Sequence, residues 1–161
     1  MTLVEVRTLA RCPAHGHTVV VLEATGRRRR LAFYADPQEA QRLARQLAHG
    51  PGACHPVLDF IRALLAVWRA VPARVVLDDV AGQGLGAVVC LRQGGREVAV
   101  PCYPPDALAL ALRVGVPIYA TEAALAHGER AGPPEPDGED LAGWLDRLRP
   151  EDFALGGDGL Q

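Results

Sequence analysis

The sequence predicts an α+β domain. An internally duplicated strand-strand-strand-helix unit forms a mixed, mostly antiparallel sheet packed with helices. Three observations predict it. Residues 19–44, VVVLEATGRRRRLAFYADPQEAQRLA, lie over residues 86–111, GAVVCLRQGGREVAVPCYPPDALALA, at a constant offset of 67. Under that shift Leu22 meets Val89, Leu31 meets Val98, Phe33 meets Val100, Pro37 meets Pro104 and Leu43 meets Leu110. In each copy a pair of apolar runs around a glycine-containing turn gives way to a proline-headed Ala/Leu segment, the change from strand to helix. Two copies are too few for a solenoid, and 161 residues suit one domain that buries roughly 68–70% of its unfolded surface.

The elements follow in order. Residues 3–11 and 17–23 read as strands, with Pro13, His15 and Gly16 in the turn between them. Residues 28–34 pair with 18–23 as a hairpin. The helix over 37–49 has Asp36 at its N-cap, Pro37 at the first helical position, Glu39 closing a capping box and Gly50 after its end. Val57, Ile61, Leu64, Leu65 and Trp68 recur at helical spacing, which predicts a helix over 56–70. Residues 73–80 form a strand, and 85–92 with 96–102 a hairpin around Gln93-Gly94-Gly95. Residues 104–114 alternate Ala with Leu, the period of a strand, yet both are the strongest helix formers. The repeat decides for helix, since Pro104, Asp106 and Gly115 reproduce the layout of the first copy, and a nearly all-apolar surface predicts burial on several sides. Residues 116–120 read as a short strand, and Thr121 caps a further helix. The boundaries expected are a duplicated domain over 1–127, a Pro/Gly-rich linker over 128–138, and a C-terminal helix and tail over 139–161. Trp144, Leu145 and Leu148 would dock that last helix on the domain.

A net charge of −2 argues against a strongly electropositive nucleic-acid-binding surface. All 17 basic residues are arginine, which favours bidentate phosphate contacts. Arg27 to Arg30 reads first as a solvated hairpin tip and second as a phosphate-contacting patch. No run of about 18 apolar residues exists, and the N-terminal MTLVEVRTLARCP lacks an apolar signal core, so a cytoplasmic protein without a membrane partner is expected. Cys12, Cys54, Cys90 and Cys102 are dispersed, and reduced thiols follow. Cys12, His15 and His17 are too few for a structural zinc site and read as a polar turn. Adjacent Cys54 and His55 do not read as a nucleophile pair. No phosphate-binding P-loop and no nucleophile elbow is present.

Three segments carry a resemblance: VVVLEATGRRRRLAFYADPQEAQRLA, PPDALALALRVGVPIYATEAAL and WLDRLRPEDFAL. Together, over residues 3 to about 154, they resemble the bifunctional nuclease domain family. The resemblance implies Mg²⁺- or Mn²⁺-dependent cleavage of DNA and RNA, with nucleic acid as the substrate partner. Where that family has Arg-Pro-Ser-Asp, Tyr103-Pro104-Pro105-Asp106 stands here; where it has Thr-His-Asp, Val57-Leu58-Asp59 stands. The family arginine and histidine are gone and both aspartates remain.

Metal-dependent phosphodiester cleavage needs clustered carboxylates that hold hard cations. Asp106 and Asp59 are the catalytic and metal candidates, and Glu122 a further metal ligand. Asp36 and Glu39 read as capping residues, and a capping or dipole role competes for the other three. Arg28, Arg29 and Arg113 are the candidate nucleic-acid contacts. Two functions stand side by side: a metal-dependent nuclease, weakened by the two losses, and a non-catalytic oligomeric structural or regulatory module of the same fold. A homo-oligomer, a dimer first, is expected because a short duplicated sheet leaves edge strands open.

Overall fold

The computed structural model describes residues 1–11, 17–26, 28–80 and 84–130. Cys12, His15, Arg27, the C-terminal helix over 139–161 and the linker from residue 131 onward lie outside the described residues. Among the described residues the chain forms β1 (Thr2–Arg11), β2 (Thr18–Ala24), β3 (Arg30–Ala35), α1 (Pro37–His49), α2 (Pro56–Val67), β4 (Ala70–Val80), β5 (Gly84–Gln93), β6 (Arg96–Cys102), α3 (Pro104–Val114), β7 (Ile118–Ala120) and α4 (Glu122–Arg130). A single 3-10 turn, Gly50–Gly52, follows α1.

The strands make one sheet in the order β3-β2-β1-β7-β4-β5-β6. Each half contributes an antiparallel meander followed by a helix. Short β7 joins the halves, antiparallel to β1 and parallel to β4, so the sheet is mixed and mostly antiparallel. The expected hairpin of 18–23 with 28–34 is present, with Thr18 opposite Ala35 and Glu23 opposite Arg30.

Local rules account for α1. The Asp36 carboxylate accepts from the Gln38 N–H at 2.8 Å, and the Asp36 N–H donates to Glu39 Oε2 at 3.0 Å. The reciprocal capping box satisfies two orphan donors. Asp36→Ala is expected to lower stability by about 1 kcal/mol, read as a small drop in the urea midpoint at unchanged slope.

Helix α3 is the centre of the core. Pro104, Pro105, Ala107 to Ala111 and Arg113 are buried, and the helix closes on Gly115 in the left-handed conformation (φ 74°). It packs on α1 and on β4 and β5, where Val75, Leu77 and Val89 face it within one continuous apolar cluster. Helix α4 touches β3 at one end of the strand order and β4 and β5 in the other half. The sheet therefore curls until its two halves approach one another.

Three boundaries differ from the sequence expectation. Helix α2 stops at Val67 instead of reaching Ala70, because Arg69 adopts a left-handed φ of 53° that turns the chain. Strand β4 starts early, at Ala70, and accommodates Pro72 because the register against β5 slips between Pro72 and Arg74. Helix α4 runs to Arg130, past the expected linker start at residue 128. Gly128 is not a stop signal there. A Cβ at Gly128 would lie 2.9 Å from Leu31 Cα and 3.1 Å from the Ala32 nitrogen, so glycine permits α4 to press against β3. No helix among the described residues is long and apolar enough to cross a membrane.

Candidate functional site

The curl of the sheet leaves a half-open cleft of about 230 Å³ at the head of α3. Ala32, Phe33 and Tyr34 of β3 and Leu85 of β5 form two walls, and Tyr103, Pro104 and Pro105 and His127 of α4 complete it. The head of α3 is the segment that carries the most distinctive part of the sequence pattern. Behind the His127 wall, His127 Nδ1 lies 3.3 Å from Asp79 Oδ1, with both side chains less than a third exposed. With Nδ1 turned to the carboxylate, Nε2 is the nitrogen left for a ligand.

The chain fixes this pair from both sides. The Thr121 N–H donates to the Leu77 carbonyl at 3.0 Å, tying the start of α4 to β4. The Thr121 hydroxyl donates to Asp78 Oδ1 at 2.6 Å and accepts from the Ala124 N–H at 3.1 Å, which confirms Thr121 as the N-cap. Gly128, one residue beyond His127, sets the depth at which α4 sits on β3.

The residues singled out from sequence are distributed over the molecule. Asp106 is exposed in the first turn of α3, beside the residues that line the cleft. Asp59, in the first turn of α2, lies at the opposite end of α3. Its Oδ1 accepts from Arg113 Nη2 at 2.5 Å, and Arg113 stands two turns, roughly 10 Å along the helix, from Asp106. Glu122 Oε2 pairs with Arg29 Nη1 at 2.5 Å, and Glu122 Oε1 accepts from the Thr2 hydroxyl at 3.3 Å. Among the described residues no three His, Cys, Asp or Glu side chains converge as a metal cage. Of the nucleic-acid candidates, Arg28 is exposed at the β2–β3 turn, Arg29 is held by Glu122, and Arg113 is buried. Arg113 Nη1 donates to the carbonyls of Pro51 and Ala53, which makes it a clamp from α3 to the 3-10 turn and the head of α2. His55 caps α2, its Nδ1 accepting from the Leu58 N–H at 3.3 Å.

Electrostatics separate these roles. The hydrogen bond from Arg113 holds the Asp59 carboxyl below the usual carboxylate range, with desolvation opposing it and the charges of Arg113 and Arg62 adding to it. At the head of α3, burial first and the Asp106 charge second push the Cys102 thiol up, so it is no thiolate nucleophile. Burial, then the charges of Glu39, Asp106 and Asp36, raises the Tyr103 phenol. Tyr103 therefore stands in an acidic field at the mouth of the cleft.

His127 and Asp79 were not among the sequence candidates. They are far apart in sequence, on α4 and β4, and only the fold brings them together. The available signal was a lone histidine in an otherwise Ala-rich helix and an Asp-Asp pair at the end of an apolar strand.

The geometry defines a curled α+β domain with an aromatic cleft and, in its wall, a histidine paired with a carboxylate. Residues 20–131 match the bifunctional nuclease domain. The chain belongs to that family. It is also 39% identical, over 69 residues, to two uncharacterised proteins of Mycobacterium tuberculosis, Rv1829 of strain H37Rv and MT1877 of strain CDC 1551. The match covers 36% of this chain and 42% of each relative, so the chain spans about two fifths of the length of the curated relatives it matches.

Proposed function

We propose that the protein hydrolyses phosphodiester bonds of DNA or RNA in the cleft at the head of α3, in a cytoplasmic setting. The observation that carries the reading is His127 in the wall of that cleft, its Nδ1 3.3 Å from Asp79 Oδ1. It supplies a histidine in place of the one absent from Val57-Leu58-Asp59. His127 acts as the general base: Nε2 takes a proton from water, the hydroxide attacks phosphorus, and the P–O ester bond breaks. The proton then leaves with the departing oxygen. Asp79 orients the ring and stabilises it when protonated, and Phe33 and Tyr103 give a base a surface to stack on.

Family membership suggests Mg²⁺ or Mn²⁺. Magnesium is commonly held by one or two carboxylates together with substrate phosphates and water, not by a protein cage. Asp106 fits that mode; Asp59 and Glu122, each paired with an arginine, do not join it. A cation held by Asp106 and the substrate phosphate would neutralise charge that the acidic field around Tyr103 otherwise repels.

Labelled single-stranded RNA and DNA incubated with Mg²⁺, Mn²⁺ or EDTA test this reading. Wild type is expected to cleave with either metal and not with EDTA. Asp106→Asn is expected to lose most of the rate, and Asp59→Asn to keep it. The pairing of Asp59 and Glu122 with arginines favours a second reading, the non-catalytic module. Absence of cleavage by wild type would support that one.

A further inference from the structure

The turn between α2 and β4 meets the tip of the β5–β6 hairpin at the end of β5 far from the cleft. Gln93 Nε2 donates to the Trp68 carbonyl at 2.9 Å, and Val71 stands opposite Arg92 in the sheet. On the other strand of the hairpin, Arg96 stands opposite Gln93. Arg69, Arg92 and Arg96 are thereby gathered beside Trp68, and all four are exposed, Trp68 at 62%. None of the three arginines has an ion-pair partner among the described residues. Glu97, opposite Arg92, is taken by both terminal nitrogens of Arg74. Arg69 adopts a left-handed φ of 53°. Glycine would take that conformation without strain, so the turn keeps a charged side chain at an energetic cost.

We propose that Trp68, Arg69, Arg92 and Arg96 form a second binding surface, which holds a single-stranded nucleic acid while the cleft acts on it; the link to cleavage rests on the reading of the cleft given above. Each guanidinium offers a planar fork that matches a phosphate. An exposed indole stacks on any unpaired base, whereas a duplex keeps its bases stacked on one another. The net charge of −2 does not oppose this surface, because acids gather at the other end of the hairpin. There Asp36, Glu39 and Asp106 surround Tyr103. Seven residues of β5, from Leu85 in the cleft wall to Arg92, separate the two sites, roughly 23 Å. Edge strand β6 is exposed along nearly its whole length between them, so the path is open. At a stacked rise of about 3.4 Å per nucleotide, that span takes about seven nucleotides. Shorter strands cannot occupy both sites.

Fluorescence anisotropy of the full chain with a labelled single strand of about 20 nucleotides, in EDTA, reads binding without cleavage. Wild type is expected to bind, more weakly as salt rises, and to prefer this strand to one of about four nucleotides. Arg92→Gln combined with Arg96→Gln is expected to bind about 10-fold or more weakly and to lose that preference. Its slope of log affinity against log salt should be shallower by about 1.4, or about 0.7 for each phosphate contact removed. Trp68→Ala is expected to bind about 5-fold or more weakly, and it is read if the double variant lacks the circular dichroism of the folded protein. Arg7→Gln, whose arginine pairs with Glu23 on β1, is expected to bind as wild type does. No binding by wild type, or undiminished binding by the double variant and Trp68→Ala, would overturn the proposal. Equal weakening by Arg7→Gln would overturn it in favour of overall charge. Binding to vesicles of phosphatidylserine and phosphatidylcholine, and not to the strand, would overturn it in favour of a membrane surface. A protein that binds the strand as expected and never cleaves it would overturn the reading of the cleft and support this one.

Discussion

Replacing Arg113 with methionine is expected to lower the thermal midpoint by roughly 5–10 °C. Methionine keeps the apolar stem inside the core and removes only the guanidinium. Two carbonyls, of Pro51 and Ala53, then lose their donor, and Asp59 loses its cation. Buried groups left without partners cost about 1–3 kcal/mol each, and water reaching the half-exposed Asp59 side limits the total to about 2–3 kcal/mol. The pH dependence has a definite sign. Asp59 is held below its ordinary range in the folded state, so its pairing contributes fully above the unfolded value, about pH 4, and is lost as pH falls through the lower folded value. The midpoint of Arg113→Met should therefore depend less on pH below about 4 than that of wild type. If Arg113 instead contacted phosphate, the variant would melt like wild type and bind RNA more weakly.

Gly128→Ala is expected to cost about 2 kcal/mol, although alanine is the better helix former. The propensity gain is about 1 kcal/mol. Against it, the new methyl would overlap Leu31 Cδ1 and, less forgivingly, meet Leu31 Cα at 2.9 Å. A side-chain end can move, but a backbone atom in the paired strand β3 cannot move without disturbing the sheet, and overpacking of this kind costs about 1–3 kcal/mol or more. Helix α4 must lift instead, carrying His127 away from Asp79. A lower thermal midpoint together with reduced cleavage is the expected pair of results. A variant as stable as wild type would mean that α4 does not press on β3 through Gly128.

The parts of the fold that local chemistry controls were legible in the sequence. Asp36, Pro37, Glu39 and Gly50 bracket α1 where expected, and the all-apolar run of α3 is buried as its composition demands. Tertiary partners were not legible. Arg113 looks like a basic residue completing the last turn of a helix, yet its partners at Pro51, Ala53 and Asp59 come from another part of the chain. Its burial removes it as a surface cation, and its bond to Asp59 separates that carboxylate from Asp106. Periodicity identified α2 and its apolar positions but could not say which of them would find cover: Ile61 does, whereas Val57 and Trp68 do not among the described residues. Asp79 and His127 lie on different elements, and no spacing rule links a strand end to the middle of a later helix.

The most direct test of the site is the cleavage rate of His127→Gln beside wild type, with single-stranded RNA and Mg²⁺. Glutamine keeps a polar side chain and removes the base. The variant is expected to fold as wild type does and to lose about 100-fold or more in rate, the usual contribution of a positioned general base. Equal rates in the two proteins would contradict the assignment of catalysis to the His127–Asp79 cleft.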